Sequence, residues 1–160
     1  MYMPEWRLWQ HNWGSIILLK VESIHYGIVI DHITQGKGKK IFDKLNLGEA
    51  DFPVVLLRNV VSSKFGKKDI IKIENRIDID MTMLGLIDPN VTINIVEDEK
   101  TIKKMKVEIP KEVQGLFKCK NPRCISNAEG NINPVFILVK ANGTIEYACE
   151  YCEELTSYTL

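Results

Sequence analysis

Hydrophobic and polar positions along the chain change character near Pro110, and the two stretches on either side predict different kinds of unit. Residues 16–33 are dense in β-branched side chains with polar interruptions, the pattern of one long strand or of two joined at Tyr26-Gly27. Gly36 and Gly38 mark a loop. Ile41, Phe42 and Leu45 then recur at helical spacing within residues 39–47, with Gly48 as the expected C-cap. Residues 54–61 and 69–74 predict a hairpin whose connection, residues 62–68, is polar and basic. Met81, Met83, Leu84 and Leu86 predict a short helix stopped by Asp88-Pro89, because proline disfavours helical geometry in the residue before it. Residues 91–96 and 101–107 read as two more strands around the turn at 97–100.

This order predicts an α+β fold: a ferredoxin-like antiparallel sheet with two helices on one face, followed by a small β-rich unit. The expected domains are 1–109 and 110–160, the first carrying an atypical extension over 1–15. In that extension Pro4 suits a first helical turn and Gly14 a helix end, while Trp6, Trp9 and Trp13 recur every three or four residues. Such an indole stripe packs against its own domain or a sister subunit, or serves as a docking helix for another protein. In the second domain only residues 135–139 read as a strand, and a piece this short buries little apolar surface without a metal.

The chain of 160 residues is 45% hydrophobic and 26% charged, as soluble globular proteins are. Lys plus Arg equals Asp plus Glu at 21 each, so no global field draws it to nucleic acid or anionic membrane, and a phosphate ligand needs a local cluster of bases. The apolar run at 16–19 is too short for a membrane span or a signal-peptide core, and Glu5 stands where a signal peptide needs a base. A cytoplasmic protein is the expectation.

In a reducing cytosol the four cysteines point to a metal rather than to disulfides. Cys119 and Cys124 (CKNPRC) and Cys149 and Cys152 (CEYC) make two short chelate loops that can set four thiolates tetrahedrally around one Zn2+ ion. An iron centre of rubredoxin type and reactive thiols are the competing readings. With four protein ligands there is no open position, so the ion folds the domain and takes no part in catalysis. No nucleophile-base pair stands out elsewhere, and the expectation is no enzyme activity. A zinc ribbon acting on nucleic acid, or as an adaptor, is an alternative. Residues 111–160 disfavour the former, holding Lys111, Lys118, Lys120, Arg123 and Lys140 against six glutamates.

In the first domain Lys68, Ile70 and Lys72 share one face of an extended strand, so two ammonium groups point the same way. Asp31-His32 adds an acceptor and a titratable donor, and Thr92, Asn94 and Lys104 fall on the last two predicted strands. Brought together, they can bind a triphosphate through lysines and a ribose through Asp31. The lysines alone also fit a solvated strand face. The chain has neither a Walker glycine loop nor a GxGxxG, so from the residues this is a possible anion site and no more.

The segments VESIHYGIVIDHI (21–33), GKKDIIKIEN (66–75), PNVTINIV (89–96) and CKNPRCISNAE with CEYCE together resemble the aspartate carbamoyltransferase regulatory chain, in order and at nearly its spacing, from about Lys20 onward. The resemblance implies a non-catalytic subunit of an enzyme of pyrimidine biosynthesis. Its N-terminal domain would bind CTP, ATP and UTP, and its zinc domain would grip the catalytic chain. Self-dimers, three to an assembly, would bridge two catalytic trimers. By the matching motifs Val21, Glu22, Ser23 and Ile24 would line the base pocket, and Asp31 and His32 would face ribose and phosphate. Lys68 and Lys72 would meet base and ribose, Asn94 and Lys104 the sugar-phosphate side, with Thr92 beside them. Cys119, Cys124, Cys149 and Cys152 match the zinc ligands one for one. The chain departs from the family in its longer N-terminal segment, in Arg123 where a second asparagine is frequent, and in the turn at 97–101.

Overall fold

A computed structural model describes residues 21–159. The tryptophan stripe and the apolar run from Ile16 lie outside the described residues. Among the described residues nine strands make two sheets, accompanied by three short α-helices. β1 (Tyr26–Thr34), β2 (Val54–Ser62), β3 (Gly66–Ile73), β4 (Thr92–Glu97) and β5 (Lys100–Lys106) form a five-stranded sheet in the order β2-β3-β1-β4-β5, all neighbours antiparallel. The first four of these have the strand order of a split βαβ unit, and β5 extends it at one margin. α1 (Gly38–Lys44) follows β1, and α2 (Met81–Ile87) follows β3.

Period-two alternation decides which face the helices cover. Ile28 and Ile30 of β1, Ile71 and Ile73 of β3 and Ile93 of β4 form a buried core with Ile41 of α1 and with Leu84 and Ile87 of α2. Val29, Asp31, Lys68, Ile70, Lys72 and Asn94 alternate with these residues and lie half-buried on the opposite, helix-free face. Each fully buried isoleucine contributes about 1.5–3 kcal/mol, which fixes the register: a slip by one residue would send the isoleucines outward and the lysines inward.

One buried charge shapes the end of this sheet. Asp69 lies on the core face at 0% exposure; its Oδ2 accepts from Gly36 N–H (3.0 Å) and Gly38 N–H (3.1 Å), and its Oδ1 from Asn59 N–H (3.0 Å). The register shifts on both sides of it, between Ile30 and Ile33 in β1 and between Leu57 and Val60 in β2. The extra residues His32 (φ 59°) and Asn59 (φ 60°) take the left-handed conformation. The β2 bulge turns the Asn59 N–H toward the carboxylate and the chain after β1 brings Gly36 and Gly38 N–H to it, so a group that would otherwise be costly to bury is satisfied, while the β1 bulge turns the His32 N–H toward Asp31.

α1 stops earlier than its pattern predicts. Asn46 at φ 52° ends it in the left-handed conformation that asparagine tolerates, and Gly48 falls within a separate 3-10 turn, Leu47–Glu49, rather than serving as the C-cap. α2 follows its expected course, with Asp80 as N-cap accepting from Thr82 N–H (2.9 Å) and Met83 N–H (3.1 Å).

The second sheet, in the order β6-β7-β8-β9, consists of Glu112–Gln114, Val135–Asn142, Thr144–Cys149 and Leu155–Thr159. α3 (Ile125–Ala128) is a single turn after Cys124. Its core is Val113, Phe136, Ile145 and Tyr147 with Cys119, Cys124 and Cys149. Leu86 of α2 packs against that cluster, so this helix touches both cores. Gly85 permits the approach: a Cβ there would lie 2.1 Å from the Glu108 carbonyl oxygen and 3.0 Å from Pro110 Cδ. The Tyr147 hydroxyl donates to the Pro110 carbonyl at 2.6 Å and ties the same linker from the other side.

Candidate functional sites

The helix-free face of the large sheet collects the polar residues singled out in its sequence. Register puts Val55, Lys72, Val29, Asn94 and Lys104 in one row across all five strands. At the usual strand spacing Lys72 and Lys104 are about 14 Å apart along that row. A second level pairs Asp31 with Thr92 and Thr92 with Lys106. The structure thus brings Asp31, His32, Lys68, Lys72, Thr92, Asn94 and Lys104 onto one surface.

At the β1 bulge, Lys68 Nζ donates to Asp31 Oδ1 at 2.7 Å, with the two side chains 16% and 20% exposed. The same oxygen accepts the His32 N–H at 2.6 Å. Partial burial pushes the Asp31 carboxyl up, but the Lys68 bond, the His32 N–H and the nearby positive charge outweigh it and hold the group below its ordinary value. His32 Nδ1 is 3.6 Å from Asp31 Oδ2, too far for a hydrogen bond, and has no other partner among the described residues; its ring meets Phe65 edge-on at 6.1 Å.

Asp31→Asn is expected to lower unfolding free energy by about 1 kcal/mol at neutral pH, the scale of one partly exposed charged hydrogen bond. Because the folded-state pKa is depressed, this contribution is present above the unfolded value and is lost as pH falls through the folded one. Urea denaturation of both chains at about pH 7 and about pH 3 should show the difference shrinking toward zero. Release of bound metal in acid affects both chains alike.

Beside Lys72 the strand β1 is preceded by an irregular segment, where an extension of the sheet was the expectation. Residues 21–25 leave the ladder and wall a cleft of about 380 Å³ with Pro53, Val55, Lys72, Glu74 and Glu99. Val21, Glu22, Ser23 and Ile24 all line it. Lys72 Nζ fastens the wall by donating to the Glu22 carbonyl at 2.8 Å and the Val21 carbonyl at 3.4 Å. The residues of the cleft that sequence reasoning missed are His25, Pro53, Val55 and Glu74, while Glu99 comes from the divergent turn at 97–101. Val55 was recoverable from the hairpin register, which sets it opposite Lys72. Glu99 enters because Asp98 and Glu99 (φ 47° and 62°) make a two-residue turn whose Glu99 N–H donates to the His25 carbonyl at 3.1 Å.

The second site is the cysteine cluster. Cys119 and Cys124 flank the loop before α3, Cys149 ends β8, and Cys152 lies in the turn after it. The four sulfurs lie within 4.8 Å of one another, with Cys119–Cys152 at 3.5 Å and Cys124–Cys149 at 3.8 Å. Those distances exclude S–S bonds and match the edges, about 3.8 Å, of a tetrahedron with metal–sulfur bonds of about 2.3 Å. Asn127 Nδ2 donates to the carbonyls of Cys119 (2.9 Å) and Asn121 (2.7 Å), and Asn121 Oδ1 accepts the Arg123 N–H (3.0 Å), so these bonds brace the first loop. The Ser126 hydroxyl, 3.1 Å from the Cys124 sulfur, lowers that thiol to about 7, whereas burial pushes Cys119 up to about 12. The donor set fits one tetrahedral thiolate-bound metal ion and leaves it no open ligand position.

The profile described as aspartate carbamoyltransferase regulatory chain, allosteric domain, matches residues 19–108, and that of the metal binding domain of the same chain matches 111–159. The chain belongs to the aspartate carbamoyltransferase regulatory chain family. A regulatory chain of Clostridium tetani is 55% identical over 139 residues, covering 86% of this chain and 96% of that protein. That of Clostridium acetobutylicum is 50% identical over 138 residues (86% and 94%), and that of Methanococcus maripaludis 45% over 139 (85% and 91%). The family is a non-catalytic subunit with an allosteric and a metal-binding domain, and its name implies association with the catalytic chain. Among the described residues no helix is long and apolar enough to cross a membrane.

Proposed function

We propose that this regulatory chain senses nucleoside triphosphates, CTP, ATP and UTP, on the helix-free face of its large sheet. The observation that supports the reading is the row Lys72, Val29, Asn94, Lys104 leading away from a cleft walled by residues 21–25. In this reading residues 1–109 are the sensor, with the base in the cleft beside Val21, Glu22, Ser23 and Ile24. Asp31 and His32 face ribose and phosphate, and Lys68, Lys72, Thr92, Asn94 and Lys104 complete the site. Charged hydrogen bonds from lysines to phosphate offset the effector's negative charge. Residues 110–160, folded on a Zn2+ ion held by Cys119, Cys124, Cys149 and Cys152, grip the catalytic chain. Thiolates suit zinc, and a closed tetrahedral site suits a structural role. Self-dimers in sets of three bridge two catalytic trimers in the cytoplasm, and effectors act by differential affinity for two states of that assembly.

Lys104 is the cleanest probe, because Lys68 and Lys72 also hold the fold together through Asp31 and the 21–22 carbonyls, whereas Lys104 is exposed with no partner among the described residues. Lys104→Ala should weaken CTP binding about 10-fold, one charged contact, with the unfolding midpoint unmoved. Calorimetric titration checks this, and unaltered CTP affinity counts directly against the placement. The whole reading is tested by mixing the zinc-loaded chain with its catalytic trimer and following complex mass and aspartate saturation with and without CTP. A complex larger than the trimer whose activity responds to CTP is the expected result.

A further inference from the structure

A second cleft, of about 300 Å³, opens where the two domains meet, on the side of the large sheet that carries the helices and so away from the row of Lys72 and Lys104. Its walls come from both domains: Met83, Leu86 and Ile87 from α2, and Leu116 and Phe117 from the loop after β6. Phe117 is anchored against Phe136, with ring centroids 4.2 Å apart, and the Gly115 N–H pins the start of the loop by donating to the Pro134 carbonyl at 3.2 Å. The fold nevertheless leaves this surface partly bare, with Leu116 44% exposed and Met83, Leu86 and Phe117 half-buried.

Lys40 and Lys44 stand at the rim, one turn apart on α1 and so on one face of that helix. Both are exposed, and neither has a partner among the described residues; Asp43, the acid between them in sequence, is engaged by Lys39 Nζ at 2.6 Å. Among the described residues no acidic or amide side chain lines the cleft. An apolar floor with two cations at its edge selects by charge and by polarity together. It repels a cationic amphiphile, and it offers a wholly polar anion nothing below the rim.

We propose that this interdomain cleft binds an alkyl carboxylate, a short fatty acid by class, with the carboxylate bridged by Lys40 and Lys44 and the hydrocarbon tail laid over Met83, Leu86 and Leu116. The head gains charge-assisted hydrogen bonds, and the tail covers apolar side chains that water now touches. Met83, unbranched and adaptable, suits a tail without a fixed shape. For a ligand of about ten non-hydrogen atoms in an open cleft the dissociation constant should be about 1 mM. Such a ligand touches α1, α2 and the second domain at once, so its binding clamps the two domains together. The inference is independent of the nucleotide reading.

The test is titration of the full metal-loaded chain with octanoate, hexanoate and octylammonium, followed by amide chemical shifts in NMR. Octanoate should move the signals of Met83, Leu116 and Phe117 and saturate. A fully buried CH2 is worth about 4-fold in affinity and a half-buried one about 2-fold, so octanoate should bind about 4-fold more tightly than hexanoate. Replacing both lysines, Lys40→Ala with Lys44→Ala, should weaken octanoate about 10-fold without moving the unfolding midpoint, because both side chains are exposed. Leu116→Ser should weaken octanoate more than hexanoate. Octylammonium binding as tightly as octanoate would reveal a merely adhesive apolar surface and overturn the proposal. Unchanged octanoate affinity in the double lysine variant, shifts confined to residues 21–25 and the helix-free face, or no saturable shift up to about 10 mM would each overturn it as well.

Discussion

Cys149→Ser is expected to release the metal and unfold residues 111–159 while the five-stranded sheet stays folded. The second sheet has a small core, Val113, Phe136, Ile145 and Tyr147, and three of the four cysteines are themselves part of it. A unit of that size depends on its ion, whose binding free energy, on the order of 10 kcal/mol in comparable small domains, is folding free energy. Cys149 is 1% exposed at the end of β8, so its replacement removes one of four ligands and puts a hydroxyl where a buried thiolate stood. The first sheet keeps its own isoleucine core and should survive. Metal content by mass spectrometry, limited proteolysis and gel filtration with the catalytic trimer together check this. Loss of the ion with proteolysis confined to the second domain and no complex is the expected pattern; a protease-resistant second domain without metal would contradict it.

Gly85→Ala should show the next largest effect, because the new methyl would be aimed at backbone. The Glu108 carbonyl lies 2.1 Å from the position that Cβ would take, and neither the helix nor the linker can yield as a side chain does. The expected cost is about 3 kcal/mol, or an outward shift of residues 108–110 that relieves the clash. The cleft proposed to hold nucleotide is built from other elements, so CTP should bind as before while the response of the catalytic assembly to CTP falls. Comparing CTP affinity by calorimetry with aspartate saturation curves separates the two effects. A variant with normal stability and a full response to CTP would show that the α2-linker contact carries neither.

The first domain was largely legible because its core face repeats. Ile28 and Ile30, Ile71 and Ile73, and Ile93 alternate with polar residues, and that period names the strands and their inward face together. The second was less so. Beyond residues 135–139, β6 and β9 carry too few apolar positions for periodicity to speak, and the alternation of Ile145, Tyr147 and Cys149 in β8 went unread, while cysteine spacing pointed directly to the sulfur cluster. Hairpin ends were misjudged at β3, which begins at Gly66 rather than Asp69 because Gly66 (φ 70°) returns the chain straight into pairing with Ser62. Asp69 itself gave a signal that went unread: a carboxylate in phase with Ile71 and Ile73 has to be buried and therefore needs donors. The meeting of Glu74 and Glu99 with residues 21–25 could not be read from spacing, since it depends on the twist and register of three strands.

The two outer strands of the large sheet differ in what they offer another chain. β5 carries Lys100, Lys103, Lys104 and Lys106, whereas β2 has Arg58 as its one charge and leaves Val55 and Val61 exposed. Free strand edges invite continuation by a neighbour, and lysines along an edge oppose it. If regulatory chains join through β2, the combined sheet ends in a lysine-lined strand on each side and has no inviting margin left. Growth then halts at two copies, and Lys104, proposed to hold the effector, would with its neighbours on β5 also guard the assembled protein against fibre formation.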